Sequence, residues 1–375
     1  MNTKIWLSSP HMSGKEQYYV KEAFDTNWVA PLGPNVNGFE NDLKQYLDQN
    51  IYVAALVSGT AALHLGLILL GVEKDDEVIC QSKTFSASAN PIVYLGATPI
   101  FIDSEKDTWN MCPEQLEIAI KDRISKGKKP KAIVAVHLYG MPYKVDDIRQ
   151  IANKYDIPIL EDSAESLGST YKNQKCGTFG DLAILSFNGN KIITTSGGGA
   201  LVTNTKILKE KAVFLSTQAR DNAPHYQHSE IGYNYRMSNI VAGIGRGQMT
   251  ILDSHVNKRR SNHEFYKEVL SQISEIRFLE EPTEMFSNRW LTCIQLPSYK
   301  IREELREFLL KDNIESRPVW KPMHLQPIFK DTPSYINGIS EDLFNKGLCL
   351  PSGSNLTENE LNRVVFGIKT YFAEC

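Results

Sequence analysis

Cysteine is scarce in this 375-residue chain: six residues, at positions 80, 112, 176, 293, 349 and 375, with no CxxC pair and no metal-ligand spacing. That pattern excludes a disulfide framework and a cysteine-based metal site, and it predicts reduced thiols in a cytoplasmic protein. Excess charge is lacking too. A formal net charge of −3 gives no general attraction to nucleic acid or to an anionic membrane surface, although local basic clusters leave room for a phosphorylated small molecule. Long hydrophobic runs are missing: the longest, near Ala61 to Val72, holds His64 and two glycines and is too short to span a bilayer. Met1 to Pro10 has no apolar core of signal-peptide length. There is no internal repeat and no low-complexity tract. What remains is an ordinary globular composition, 42% apolar and 23% charged, in a chain long enough for two or three domains.

From about residue 50, short apolar runs alternate with helical periodicity. Residues 77–80, 99–103, 132–137, 157–160, 182–186 and 199–203 read as strands; 61–71 and 145–155 read as helices. This alternation predicts an α/β fold with a mainly parallel sheet and helices on both faces. After about residue 245 the pattern changes to a long charged helix over 251–273, a proline-rich stretch, and helices over 302–311 and 358–372. The expected division is a large domain of residues 1–245, including an N-terminal arm, and a smaller α+β domain of 246–375.

Four segments would meet at the carboxyl edge of such a sheet, where open parallel sheets bind ligands. Ser58-Gly59-Thr60 opens directly into a helix, presenting free N–H groups and a positive dipole end suited to phosphate; a simple Ser or Thr cap would read the same way. Glu161-Asp162-Ser163-Ala164-Glu165 follows a buried strand, so Asp162 is partly desolvated and needs a cationic partner, for which a protonated pyridine nitrogen would serve. Ser186-Phe187-Asn188-Gly189-Asn190-Lys191 places a lysine between a strand end and the glycines at 197–199. Lysine forms a Schiff base with an aldehyde once burial has helped to deprotonate it. Finally, Phe85 after the strand near 80 could stack on a flat ring or belong to the core. Phosphate cradle, stacking aromatic, strand-end acid and lysine, in that order, are what a pyridoxal 5′-phosphate (PLP) site requires.

On these segments the chain resembles the DegT/DnrJ/EryC1/StrS family of sugar aminotransferases, which use PLP on the type I aminotransferase fold. The resemblance runs nearly end to end, through SGTAALH at 58–64, EDSAES at 161–166, SFNGNKIITTSGGG at 186–199 and GYNYRMSN at 232–239. NWVAPLGPNVNGFE at 27–40 and SRPVWKPMHLQPIF at 316–329 resemble in particular the bacillosamine-type enzymes that aminate C4 of a UDP-linked 4-keto-6-deoxy-N-acetylhexosamine.

The resemblance implies a homodimer that takes an amino-acid donor, glutamate, and a nucleotide-sugar acceptor by a ping-pong mechanism. Lys191 would carry the cofactor and move the proton, Asp162 would pair with the pyridine nitrogen, and Phe85 would stack on the ring. Gly59, Thr60, Ser186 and Asn188 would bind the phosphate, joined by Asn234 from a second subunit. Glu165, where many relatives have Gln, would lie near the ring's 3-hydroxyl. Trp28, Arg236, Trp320, Lys321 and His324 are candidates for the sugar nucleotide, with packing of a proline-rich loop as the other reading of Trp320 and His324 and a dimer contact as that of Arg236. A dehydratase of the same fold would carry His in place of Lys191, and a dinucleotide enzyme would need its glycines ahead of a helix. A non-catalytic PLP-binding regulator stays open; it would be yellow without responding to an amino donor.

Overall fold

Short strands such as AIVAV at 132–136 and LAILS at 182–186 are apolar for all or nearly all of their length and buried, which suits the interior of a sheet covered on both faces. In the computed structural model, which describes residues 3–374, they lie in an eight-stranded sheet. Its strands are β1 (Tyr52–Leu56), β2 (Glu77–Gln81), β3 (Thr98–Ile102), β4 (Ala132–Val136), β5 (Ile159–Asp162), β6 (Leu182–Ser186), β7 (Gly199–Thr203) and β8 (Ser334–Tyr335). The order is β1-β7-β6-β5-β4-β2-β3-β8. The pairings from β6 to β8 are parallel, while β7 is antiparallel to both β6 and β1. The sheet is therefore mixed, with β7 as its one reversed strand. Cys375 and the first two residues, parts of the thiol and N-terminal readings above, lie outside the described residues.

Reversing β7 leaves β1, β2, β4, β5 and β6 pointing the same way, so their carboxyl ends share one edge. Helices cover both faces. Gly59–Leu69 buries almost every side chain between Ala61 and Leu67, as expected of a helix that is hydrophobic all round. Val145–Tyr155 instead buries one stripe, Val145, Ile148 and Ala152, and ends at Asp156 in the left-handed region. The C-terminal part carries a four-stranded antiparallel sheet in the order Arg277–Phe278, Thr292–Gln295, Gly347–Leu350, Arg317–Pro318. The long charged helix spans Leu252–Leu270 and the last helix Glu358–Glu374. The helix Asn239–Met249 runs unbroken through positions 245 and 246 and packs on the helices Glu16–Asp25 and Pro34–Leu47. Among the described residues, no helix is long and apolar enough to cross a membrane.

Candidate active site

A cavity of about 320 Å³ opens at the shared carboxyl edge of β1, β2, β5 and β6. All four segments singled out above reach it: Gly59 and Thr60 after β1, Phe85 after β2, Asp162 and Glu165 at and after β5, and Ser186, Asn188 and Lys191 at and after β6. A larger cleft of about 650 Å³, near Lys106, Arg277 and Lys346, contains none of them.

The turn after β1 is shaped by packing. Ser58 caps the helix, its Oγ accepting from Ala61 N at 3.0 Å. The N–H groups of Gly59 and Thr60 have no protein acceptor among the described residues, as expected of the orphan donors of a helix start, and both residues line the cavity. A Cβ on Gly199 would fall inside contact distance of Ser58 and the Gly59 nitrogen, so β7 must have glycine there for the turn to sit against it. Gly197 has open space around it, so that position of the glycine triplet is not forced by packing.

Asp162 is 4% exposed and enters no ion pair among the described residues. Its Oδ2 accepts from Ser88 Oγ at 2.6 Å and its Oδ1 from Ala164 N at 3.1 Å. A buried carboxylate without a cation is costly, and this one borders an open cavity. Glu165 is also buried. Its Oε2 accepts from Tyr139 N at 2.7 Å, and its Oε1 lies 3.4 Å from both Lys191 Nζ and Trp320 Nε1. Burial raises the Glu165 carboxyl above its ordinary range, and the Lys191 charge partly offsets this. The Lys191 side chain is 11% exposed. Phe85, 52% exposed, is not a core residue; its ring lies 5.5 Å from that of Trp320.

Of the sugar-nucleotide candidates, only Trp320 lines the cavity. Arg236 is a correction: it is buried, ion-paired with Glu40 and donating to Ala55 O at 3.0 Å, so its guanidinium ties the helix Pro34–Leu47 to β1 and is not free for a phosphate. His324 spends a ring nitrogen on Ser82 Oγ at 2.6 Å, and burial lowers its pKa. Lys321 and Trp28 are exposed away from the cavity, and so is Asn234, on a segment bridged to Thr217. Two contributors escaped the sequence reading. Ser88, three residues after Phe85, carried no signal beyond its residue type. Trp290, 1% exposed, comes from a stretch with no motif.

Pyridoxal phosphate fits these residues. A buried acid lacks a cation, two N–H donors lack acceptors, an exposed ring offers a face, and a lysine amine points into the same space. Fold and cavity together define a PLP-dependent transaminase. The chain belongs to the DegT/DnrJ/EryC1/StrS aminotransferase family, whose pattern it matches over residues 10–369. It is 52% identical over 369 residues to EpsN of Bacillus subtilis (strain 168), assigned as a pyridoxal phosphate-dependent aminotransferase, covering 97% of this chain and 95% of that one. It is 37% identical over 372 residues to the GDP-perosamine synthase of Escherichia coli O157:H7, covering 99% of each. Among solved structures, a sugar aminotransferase assigned in Streptococcus pneumoniae, in its PLP form, superposes with a TM-score of 0.91 at 27% identity and 99% coverage of each chain. The protein is a PLP-dependent sugar aminotransferase.

Proposed function

We propose that the enzyme transfers an amino group from glutamate to C4 of a UDP-linked 4-keto-6-deoxy-N-acetylhexosamine, in a ping-pong sequence, in the cytoplasm. The segments 27–40 and 316–329 support this acceptor, and Trp320 at the cavity mouth is the observation that carries it. Its indole stands beside the exposed ring of Phe85, leaving an aromatic wall where a sugar nucleotide would enter. The GDP-perosamine synthase relatives favour a second reading, a GDP-linked keto-sugar.

When bound, the cofactor supplies an electron sink for the carbon that exchanges its amino group. The chain supplies the rest. Lys191 holds the cofactor and moves the proton at the reacting carbon, work typically worth about 10²–10⁴-fold in rate. Asp162 would keep the ring nitrogen protonated, the Gly59 and Thr60 N–H groups with Ser186 and Asn188 would hold the phosphate, and Phe85 would stack on the ring. Glu165, 3.4 Å from the lysine amine, would serve the ring's 3-hydroxyl. The same reading includes the division at 245/246 and a homodimer in which Asn234 of a second copy completes the phosphate site. Val57, Val93 and Tyr94 are large apolar side chains left exposed on the single chain, as a partner surface would be.

Incubating the PLP-loaded enzyme and glutamate with a panel of UDP-, dTDP- and GDP-linked 3-keto and 4-keto sugars tests the proposal by mass spectrometry. The UDP-linked 4-keto-6-deoxy-N-acetylhexosamine should gain the amine fastest. A faster GDP- or dTDP-linked acceptor overturns the choice of substrate. Turnover by Lys191→Ala near the wild-type rate overturns the assignment of the lysine.

A further inference from the structure

Trp290 stands two residues before the short strand Thr292–Gln295, far from the cofactor segments in sequence, yet its ring faces the Lys191 amine. Lys191 Nζ lies 4.2 Å from the indole centroid and 3.4 Å from Glu165 Oε1. The ring is held in that pose from several sides. Its Nε1 donates to the carbonyl of Asn190, the residue before the lysine, at 2.7 Å. Its backbone N–H donates to Asn288 Oδ1 at 2.8 Å, and its carbonyl accepts from the buried Arg259 at 2.7 Å. Arg259 also reaches the Lys191 carbonyl at 3.5 Å, so ring and lysine loop share one anchor.

The role proposed for Lys191 requires its amine to change charge: neutral to join an aldehyde, ammonium after taking a proton. An ammonium only 11% exposed has lost most of its hydration and needs replacement partners. A tryptophan face attracts it through the ring quadrupole, and a carboxylate attracts it directly. We infer that Trp290 is a positioning residue whose indole face, with the Glu165 carboxylate, forms the seat that holds the Lys191 ammonium whenever the amine is released from the cofactor. This inference rests on Lys191 being the residue that carries the cofactor. Holding the proton there keeps it beside the reacting carbon until it is returned. The other titratable or charged groups around the amine are Asp162 at the end of β5, Tyr139 beneath Glu165, and Arg259 behind the lysine loop.

The experiment uses the whole enzyme loaded with pyridoxamine phosphate, in which Lys191 is free. Pulses of acetic anhydride across a pH series, followed by peptide mass spectrometry, give the labelling profile of Lys191. Trp290→Leu should move the midpoint to lower pH, raising labelling near neutrality about fivefold while leaving the alkaline plateau unchanged. Trp290→Phe should move it less, because phenylalanine attracts a cation more weakly. Glu165→Gln should move it in the same direction. If the leucine variant does not fold, the phenylalanine and glutamine variants decide. An unmoved midpoint overturns the seat, and so does a rise of equal factor at every pH, which would mean loosened packing alone. Borohydride reduction of the PLP-loaded wild type should fix a pyridoxyl group on Lys191; a group fixed elsewhere overturns the lysine assignment itself, and the seat with it.

Discussion

Ser88 Oγ donates to Asp162 Oδ2 at 2.6 Å, and Ser88 is itself 2.7 Å from Thr84 Oγ1. Two hydroxyls from the segment after β2 thus hold an acid at the end of β5, and neither is a cation that could pair with it.

Replacing that charge is the most direct test of the pairing. Asp162→Asn keeps the shape and removes the opposite charge, and the loss of such a neighbour lowers the proton affinity of a cationic nitrogen by about 1–3 pH units. Turnover should then fall by about two orders of magnitude. The absorbance of the bound cofactor should titrate at lower pH than in the wild type. Ser88→Ala leaves the charge and loses one hydrogen bond, so its loss should be about tenfold or less. Wild-type turnover in Asp162→Asn would falsify the charge pairing.

Gly199→Ala examines the phosphate turn from behind. The added methyl would collide with the backbone of Ser58 and Gly59, which cannot swing aside as a side-chain tip can. The turn should shift by a fraction of an ångström, enough to misplace the two N–H donors. The expected result is cofactor affinity weakened about tenfold or more, read by equilibrium dialysis against PLP, with the far-ultraviolet circular dichroism retained.

Much of the site was legible because its residues stand where an apolar run stops. Asp162 ends β5, Lys191 lies beyond β6, and Phe85 follows β2, so strand pattern alone placed them on one edge. The bounds of β6, β7 and the helix Val145–Tyr155 matched for the same reason: their hydrophobic spacing is uninterrupted. Trp290 was illegible because its approach to Lys191 depends on how the second sheet docks, and no local pattern encodes that. Arg236 misled the reading for a related reason. Its partner Glu40 is 196 residues away, so a buried ion pair looked like a free cation beside a family motif. The reversed direction of β7 was also hidden, since a strand's hydrophobic pattern does not record its polarity.

Arg236 should therefore matter to stability more than to substrate binding. Arg236→Met leaves Glu40 buried with Lys209 at 3.3 Å and the Ala55 N–H at 2.9 Å as its remaining partners. Breaking one side of a buried pair costs about 3–5 kcal/mol when nothing compensates, and Lys209 should hold the loss near about 2–3 kcal/mol. Urea unfolding measures it, and KM for the sugar nucleotide should stay within about twofold of wild type. A large rise in KM with unchanged stability would return Arg236 to the substrate site.

The acid limb of stability should trace in part to His263. The ring is 1% exposed, packs edge-on against Phe278 at 5.7 Å, and has no hydrogen-bond partner on either nitrogen among the described residues. Burial, with Arg289, Lys267 and Arg260 nearby, lowers its pKa to about 3. Between that value and the ordinary 6.5, the unfolded chain binds a proton that the folded one refuses, so stability falls as pH drops through this window and is unaffected above it. Around pH 5 the penalty from this one group is about 2 kcal/mol. His263→Phe removes the titration while keeping an aromatic of similar size. Its urea midpoints, each referred to its own value near neutrality, should decline less steeply than those of the wild type below about pH 6.5. A residual slope should persist from His255, which burial lowers to about 4. Parallel acid limbs in the two proteins would mean that His263 is already charged in the folded state, and its burial would not set the acid limb.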